Sequence, residues 1–193
     1  DPPFSPRHLW SEEDSDTVFA RIKSRDFLVH HPFDSFSSVE VFLSAAVEDP
    51  SVIGIKITLY RIGANSPLID LLVAAGEAGK QVAVLVELKA RFDEESNIHW
   101  ARALEHEGVH VIYGLLGIKT HSKIALVVRE EEGRIRRYVH LATGNYNAVT
   151  ASLYTDLGMF TCDDEIGADA TDLFNYLTGY SNKLTYMAMC CPG

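Results

Sequence analysis

The 193-residue sequence predicts an α/β domain in which helices flank a mixed, largely parallel sheet. Two observations favour this class. Short β-branched runs of strand length alternate with segments whose apolar residues recur at helical spacing. This alternation is typical of parallel βαβ units with right-handed crossovers. The composition, 47% hydrophobic and 23% charged, is that of a globular domain with a buried core.

Each element has its own local signal. The run 52–60 is β-branched, and the nearly continuous apolar run 81–88 is typical of a strand covered on both faces. Ser66-Pro67 begins a helix that Gly79 ends, and Ser37 begins another at capping-box spacing. The full prediction is helices at about 37–48, 66–78, 94–107 and 169–183, strands at 52–60, 81–88 and 109–113, and a hairpin of strands 122–128 and 135–142 joined by the charged turn 129–134.

The ends of the chain and its cysteines predict its context. We expect residues 1–15 to be a linker from a preceding domain, residues 16–183 to form the domain, and residues 184–193 to be a truncated C-terminal segment. The three cysteines have neither a disulfide framework nor zinc-site spacing, which favours free thiols in a reducing cytoplasm. The first ten residues lack the basic and apolar regions of a signal peptide, so we do not expect them to be one, and the sequence has no apolar run of membrane-spanning length.

The charge of −10 argues against a broad nucleic-acid surface, so no nucleic-acid partner is expected. The acidity is uneven. Residues 1–50 carry −6 and residues 124–193 carry −4, whereas residues 51–123 are balanced. A narrow site for a polyanion therefore stays compatible with this composition, because it needs only local cations.

Basic residues follow two of the predicted strands. Arg61 comes after the strand 52–60 and Arg91 after 81–88, where the carboxyl ends of strands meet at one rim. The planar guanidinium suits phosphate because it donates two parallel hydrogen bonds and keeps its charge. Each arginine alone could simply pair with a surface carboxylate, but the equivalent positions of the two favour an anion site.

The segment KTHSK, residues 119–123, predicts a nucleophile. In an extended chain Lys119, His121 and Lys123 share one face, so the flanking cations favour a neutral imidazole that can attack phosphorus. A solvated surface strand is the alternative. The turn after the second hairpin strand adds Asn145 and Asn147, whose amides suit phosphate oxygens, although such turns are often only turns. The other seven histidines show no metal-site spacing.

The HxK motif followed by GxxN resembles a half-site of the phospholipase D-like superfamily, but Val128 stands where that superfamily has Asp. Longer motifs are similar to the type 1 family of bacterial polyphosphate kinases. The similarity extends over about residues 16–183 and resembles the first of two C-terminal phospholipase D-like domains. The motifs are HHPFDSF, IKITLYRIG, GKQVAVLVELKARFDEESNIHWA, GVHVIYGLLGIKTHSKIALVVRE, YVHLATGNYN and LFNYLTGY.

This resemblance implies reversible transfer of the terminal phosphate of ATP to inorganic polyphosphate through a phosphohistidine at His121. It implies that Arg61 and Arg91 belong to the family's Mg²⁺ site, which we interpret as contact with Mg²⁺-bound phosphate because arginine has no lone pair to donate. It places Tyr154 at the nucleotide. Lys119, Lys123, Asn145 and Asn147 are secondary candidates.

The expected partners are ATP or ADP, polyphosphate, the remaining domains of the parent polypeptide and, in the full-length enzyme, further copies in a homo-oligomer. The location would be cytoplasmic, with membrane association as part of a polyphosphate kinase complex left open. Because the superfamily's complete site uses two HxK half-sites, the isolated chain is expected to be weakly active or inactive. A phospholipase D-like phosphodiesterase or nuclease and a non-catalytic polyphosphate-binding module are the alternatives.

Overall fold

A computed structural model describes residues 4–60, 66–87, 94–114, 120–181 and 185–188. Its strands are β1 Phe27–His31, β2 Val52–Leu59, β3 Gln81–Val86, β4 His110–Tyr113, β5 Lys123–Glu131, β6 Arg134–Ala142 and β7 Asp156–Thr161. Its helices are α1 Val18–Ser24, α2 Ser37–Glu48, α3 Pro67–Glu77, α4 Glu94–His106, the single turn α5 Ala148–Ala151 and α6 Asp164–Leu177, and a 3₁₀ helix, Glu12–Thr17, precedes α1.

The strands form one sheet in the order β1-β7-β6-β5-β2-β3-β4. The mixed sheet flanked by helices is confirmed. Parallel pairing, however, is confined to β2–β3 and β3–β4, and the other four pairings are antiparallel. Most strands therefore point the same way, as a largely parallel sheet requires, but most neighbouring strands pair antiparallel. Five strands run one way, and β5 and β7 run the other way.

Two apolar clusters cover the two faces of the sheet. Along β5, Ala125 and Val127 belong to the cluster under α1–α4, whereas Ile124 and Leu126 belong to the cluster under α6. This alternation follows from the two-residue period of a strand. Both sides of β3 are covered in the same way, as its continuous apolar run predicts.

Local chemistry accounts for several element boundaries. Ser66 and Pro67 begin α3, and Gly79 follows its end with φ +81°, a conformation that a glycine adopts without strain. The hairpin turn is tighter than predicted. It consists of Glu132 and Gly133, both with positive φ, as a two-residue type I′ turn requires. Ser37 forms no capping box, because it is already the first residue of α2, and its amide donates to the hydroxyl of Ser35 at 3.2 Å.

The sequence analysis missed β1, β7, α1 and α5, and its boundaries for the last helix were wrong. Helix α6 begins five residues earlier than predicted, because the Asp163 carboxylate accepts hydrogen bonds from the backbone amides of Glu165 and Ile166. The helix also ends at Leu177 instead of residue 183.

Part of the expected linker packs against the domain. Trp10 is 2% exposed and donates from its indole nitrogen to the carbonyl of Ser38 at 2.7 Å. Arg7 pairs with Asp34 at 2.7 Å. The segment from Arg7 onward is therefore part of the folded unit, while the domain boundary at residue 16 stays a prediction. In the described part of the chain, no helix has the length and apolar character needed to cross a membrane.

A buried carboxylate ties the hairpin to α1. Glu131, whose side chain is 9% exposed, pairs with Lys23 at 2.7 Å, Arg129 at 2.8 Å and Arg136 at 3.2 Å. The hydroxyl of Tyr138 donates to the same carboxylate at 2.5 Å. Burial by itself raises the pKa of Glu131, but the hydrogen bonds from Lys23, Tyr138 and Arg129 outweigh it and lower the pKa from 4.5 to about 2.

We predict that this network gives the domain a pH-dependent stability. Because the pKa of Glu131 is lower in the folded state, its contribution is present above about pH 4.5 and is lost as the pH falls towards 2. Glu131→Gln should lower the free energy of unfolding at pH 7 and flatten its decline between these values, as measured by denaturant unfolding at several pH values. The neighbouring, exposed Glu130→Gln is the control, and an equal effect of both variants would contradict the assignment.

Candidate functional site

Strand direction gathers the predicted site residues at one edge of the sheet. The carboxyl ends of β1, β2, β3, β4 and β6 lie at this edge together with the amino ends of β5 and β7. We call it the site edge. It carries Tyr60 after β2, His121 just before β5, Asn145 after β6 and Tyr154 before β7.

His121 lies at the centre of this edge with its side chain exposed. Its ring meets the ring of Tyr60 edge to face, with centroids 5.3 Å apart and an interplanar angle of 77°. The ammonium of Lys123 lies 5.2 Å from the centroid of the same Tyr60 ring and donates to the carbonyl of His121 at 2.6 Å. The predicted pair His121 and Lys123 is therefore brought together around a buried aromatic ring.

Lys123 is more enclosed than its predicted role suggests. The residue is only 5% exposed, and its ammonium holds the backbone of the nucleophile segment. The predicted contributions of Arg61, Arg91 and Lys119 lie outside the described residues.

The two predicted asparagines follow β6 but differ in their environment. The register pairs Lys123 with Ala142, which places the turn after Ala142 beside the segment that contains His121. Asn147 caps α5, since its side-chain oxygen accepts from the amides of Val149 and Thr150 at 2.9 and 3.1 Å. The buried side-chain oxygen of Asn145, in contrast, has no hydrogen-bond partner among the described residues.

Tyr154 lies between α5 and β7, with 63% of the residue exposed. Its neighbour Leu153 is 73% exposed and Val149 on α5 is 67% exposed. This short stretch therefore presents three large apolar side chains to solvent at the site edge. An exposed aromatic ring at this position can stack on a planar ligand.

The sequence analysis set aside His140, which the structure places beneath the site. The residue is 1% exposed, and its Nδ1 lies 3.0 Å from the hydroxyl of Tyr146. Burial, with a smaller contribution from His31, lowers the pKa of His140 to about 3, so the ring is neutral at physiological pH. His140 follows the aromatic residue Tyr138 by two positions in β6, so both side chains point to the same face of the strand. This spacing could have indicated from the sequence that His140 is buried.

Gly144 is in the turn after β6 because backbone and carboxylate approach closely there. A Cβ at this position would lie 2.5 Å from a carboxylate oxygen of Asp156 and 2.8 Å from its Cβ. The other carboxylate oxygen of Asp156 accepts from the hydroxyl of Thr143 at 2.8 Å. The turn and the start of β7 are thus held against each other at the site edge.

Within the described residues, no group of three or more His, Cys, Asp or Glu side chains could hold a metal ion.

Comparison with known proteins identifies the family. Residues 17–183 match the model of the polyphosphate kinase C-terminal domain 1. The chain belongs to the polyphosphate kinase family. A polyphosphate kinase from Synechocystis sp. is 60% identical over 173 residues, which cover 89% of this chain and 24% of that protein. One from Mycolicibacterium gilvum is 56% identical over 190 residues, 96% of this chain and 26% of that protein.

Solved structures agree with this assignment. The crystal structure of the polyphosphate kinase from Porphyromonas gingivalis matches with a TM-score of 0.80 and 34% identity, over 94% of this chain and 31% of that one. Nuc from Salmonella typhimurium, a phospholipase D family member, matches with a TM-score of 0.59 over 81% of this chain and 93% of that one. At 13% identity this second match shows the phospholipase D-like fold alone.

We predict that the turn at Gly144 does not tolerate a side chain. Gly144→Ala would force β7 or the turn to shift, and should lower the free energy of unfolding by about 1–3 kcal/mol. The matched control is Gly76→Ala inside α3, where a Cβ would make an ordinary contact at 3.5 Å and the alanine should be neutral or slightly stabilising. Denaturant unfolding measures both, and a Gly144→Ala variant as stable as the wild type would contradict this packing.

Proposed function

We propose that this chain carries the nucleophile half of a polyphosphate kinase active site and that His121 is the residue that becomes phosphorylated. The observation that carries the proposal is the setting of His121, an exposed imidazole on a backbone held by buried polar side chains. Membership of the family supports the reaction class. The chain spans about a quarter of the length of the curated relatives it matches, so the activity belongs to the whole polypeptide.

In the proposed reaction, the lone pair of a neutral His121 nitrogen attacks the γ-phosphorus of ATP in line. The bond from the γ-phosphorus to the oxygen that bridges it to the β-phosphate breaks, and ADP leaves with that electron pair. A terminal oxygen of polyphosphate then attacks the phosphohistidine, which lengthens the chain by one phosphate and restores the imidazole. Because phosphoryl transfer depends mainly on positioning and electrostatics, the reaction requires only a well-placed imidazole surrounded by cations.

The remaining candidates have supporting roles in this proposal. Arg61, Arg91 and Lys119 would bear the negative charge of the transferred group together with Lys123. Tyr154, exposed at the site edge, would contact the nucleotide. Asn145 would donate from its amide to a phosphate oxygen, whereas Asn147 serves first as a helix cap.

The expected Mg²⁺ finds no set of ligands among the described residues. Arginine has no lone pair to offer a metal ion, so Arg61 and Arg91 cannot hold Mg²⁺ directly. We propose that the ion arrives bound to the phosphates of ATP and that the two arginines contact those phosphates.

We further propose that the full-length enzyme acts in the cytoplasm as a homo-oligomer. Membrane association stays a prediction from the family resemblance. The rival functions are a phosphodiesterase or nuclease and a non-catalytic polyphosphate-binding module. Val128, at the position where the superfamily has Asp, argues against the first, and the phosphoenzyme test below separates the second.

We predict that the full-length enzyme incubated with ATP labelled at the γ-phosphate acquires an acid-labile, base-stable label at His121. His121→Ala should abolish this label, because the nitrogen that forms the bond to phosphorus is gone. His110→Ala is the matched control, since His110 is also exposed but lies at the amino end of β4, on the opposite edge of the sheet. The variant should keep the label.

Retention of the label in His121→Ala would refute the nucleophile assignment. Robust hydrolysis of a generic phosphodiester or of DNA would favour the phosphodiesterase. Salt-dependent polyphosphate binding that His121→Ala leaves unchanged, without any phosphoenzyme, would favour the binding module.

A further inference from the structure

The backbone on both sides of His121 is held by three buried polar side chains, from β2, from the residue after β3 and from the start of β5. They are Thr58 at 3% exposure, Glu87 at 4% and Lys123 at 5%. Each contacts main-chain atoms of the segment 120–124. Buried polar groups are costly unless they are hydrogen-bonded, so these contacts account for the side chains' presence in the sheet's interior.

Thr58 and Lys123 form hydrogen bonds with the backbone of His121 and of the residues that follow it. The hydroxyl of Thr58 donates to the carbonyl of Ser122 at 2.7 Å and accepts from the amide of Ile124 at 3.1 Å. Lys123 donates to the carbonyl of His121 itself. These bonds fix the point at which the chain enters β5.

Glu87 acts on the residue before His121. Its carboxylate accepts a hydrogen bond from the amide of Thr120 at 2.8 Å, although the two residues are 33 positions apart in sequence. The amide of Glu87 donates in turn to the carbonyl of Leu59 at 3.0 Å, so its own backbone is fixed to the end of β2. A Cβ on Gly114 would lie 3.5 Å from the same carboxylate oxygen. The carboxylate therefore lies between Gly114, just after β4, and Thr120, while the backbone of Glu87 is bonded to the last residue of β2.

The carboxylate suits this position because the amide of Thr120 has no strand partner there. Residue 120 precedes the first pairing of β5, which begins at Lys123. A buried amide without an acceptor is costly, and a side-chain oxygen of Glu87 lies within hydrogen-bonding distance of this one. Glu87, just after β3 and two strands away from β5, thus supplies a constraint that strand pairing does not provide at Thr120.

We propose that Glu87 is a positioning residue for phosphoryl transfer. It fixes Thr120 and thereby the position of the His121 imidazole relative to the phosphate it attacks. The inference rests on the proposed role of His121. Glu87 itself acts through the backbone and forms no bond to the transferred group.

The test compares two conservative variants of the full-length enzyme. Glu87→Gln keeps an acceptor oxygen at the same reach and removes the charge. Glu87→Asp keeps the charge and withdraws the oxygen by one methylene. Positioning through the hydrogen bond predicts that Glu87→Gln forms the phosphohistidine at close to the wild-type rate. Glu87→Asp should be slower by up to about 10²-fold, since a displacement of about 1 Å can cost that much.

Rapid-quench measurement of label at saturating ATP gives the rate, and thermal unfolding of each variant monitors stability. Glu87→Asp should lower the rate constant for phosphohistidine formation, and it should leave the KM for ATP and the melting temperature little changed. Asp169→Asn is the matched control. Asp169 is also a buried carboxylate, and it accepts hydrogen bonds from the backbone amides of Met187 and Ala188. It lies in α6, however, and contacts no residue of the segment that contains His121 in these bonds. Asp169→Asn should lower the melting temperature without slowing labelling of the folded enzyme.

A Glu87→Gln variant as slow as Glu87→Asp, or slower, would overturn the proposal, because charge and not the hydrogen bond would then be what matters. Wild-type rates in both variants would overturn it as well. Failure of the proposed function looks different. In that case the wild-type enzyme carries no label at His121, whatever residue is at position 87.

Discussion

The insertion of β5 between β2 and β6, antiparallel to both, is the constraint on which the site depends. Because β5 runs against its neighbours, its first residues lie where theirs end. His121 thereby comes to lie beside Tyr60 and the turn that contains Asn145, although these residues are far apart in sequence. Were β5 parallel to β2, its amino end would lie at the opposite edge, away from every loop that contributes to the site.

The two ends of β5 separate stability from reactivity. At its start, Lys123 donates a hydrogen bond to the carbonyl of His121. At its end, Glu131 forms ion pairs with three basic side chains and accepts a hydrogen bond from a tyrosine hydroxyl. The strand has nine residues, which at about 3.3 Å per residue places these groups roughly 26 Å apart. At that separation Glu131 and its partners are too far from His121 to contact it.

Much of the fold could be predicted because its central strands are covered on both faces and read as apolar runs. Strands β1 and β7 escaped prediction because they are short and lack an apolar run: His31 and Gly158 are at buried positions, whereas Leu28 and Leu157 are exposed. In the site, the motif KTHSK identified His121 and Lys123. Glu87 gave no signal of its own, since its partner is a backbone amide on a distant segment.

The two strands at the ends of the sheet are short. β1 has five residues and β4 has four, and Pro32, which lacks an amide hydrogen, follows β1 directly. An edge strand offers its unpaired amides and carbonyls to any extended chain that approaches it. Few such groups are available here, and long continuous ladders cannot form on either side. The brevity of β1 and β4 therefore protects the domain against strand-to-strand aggregation.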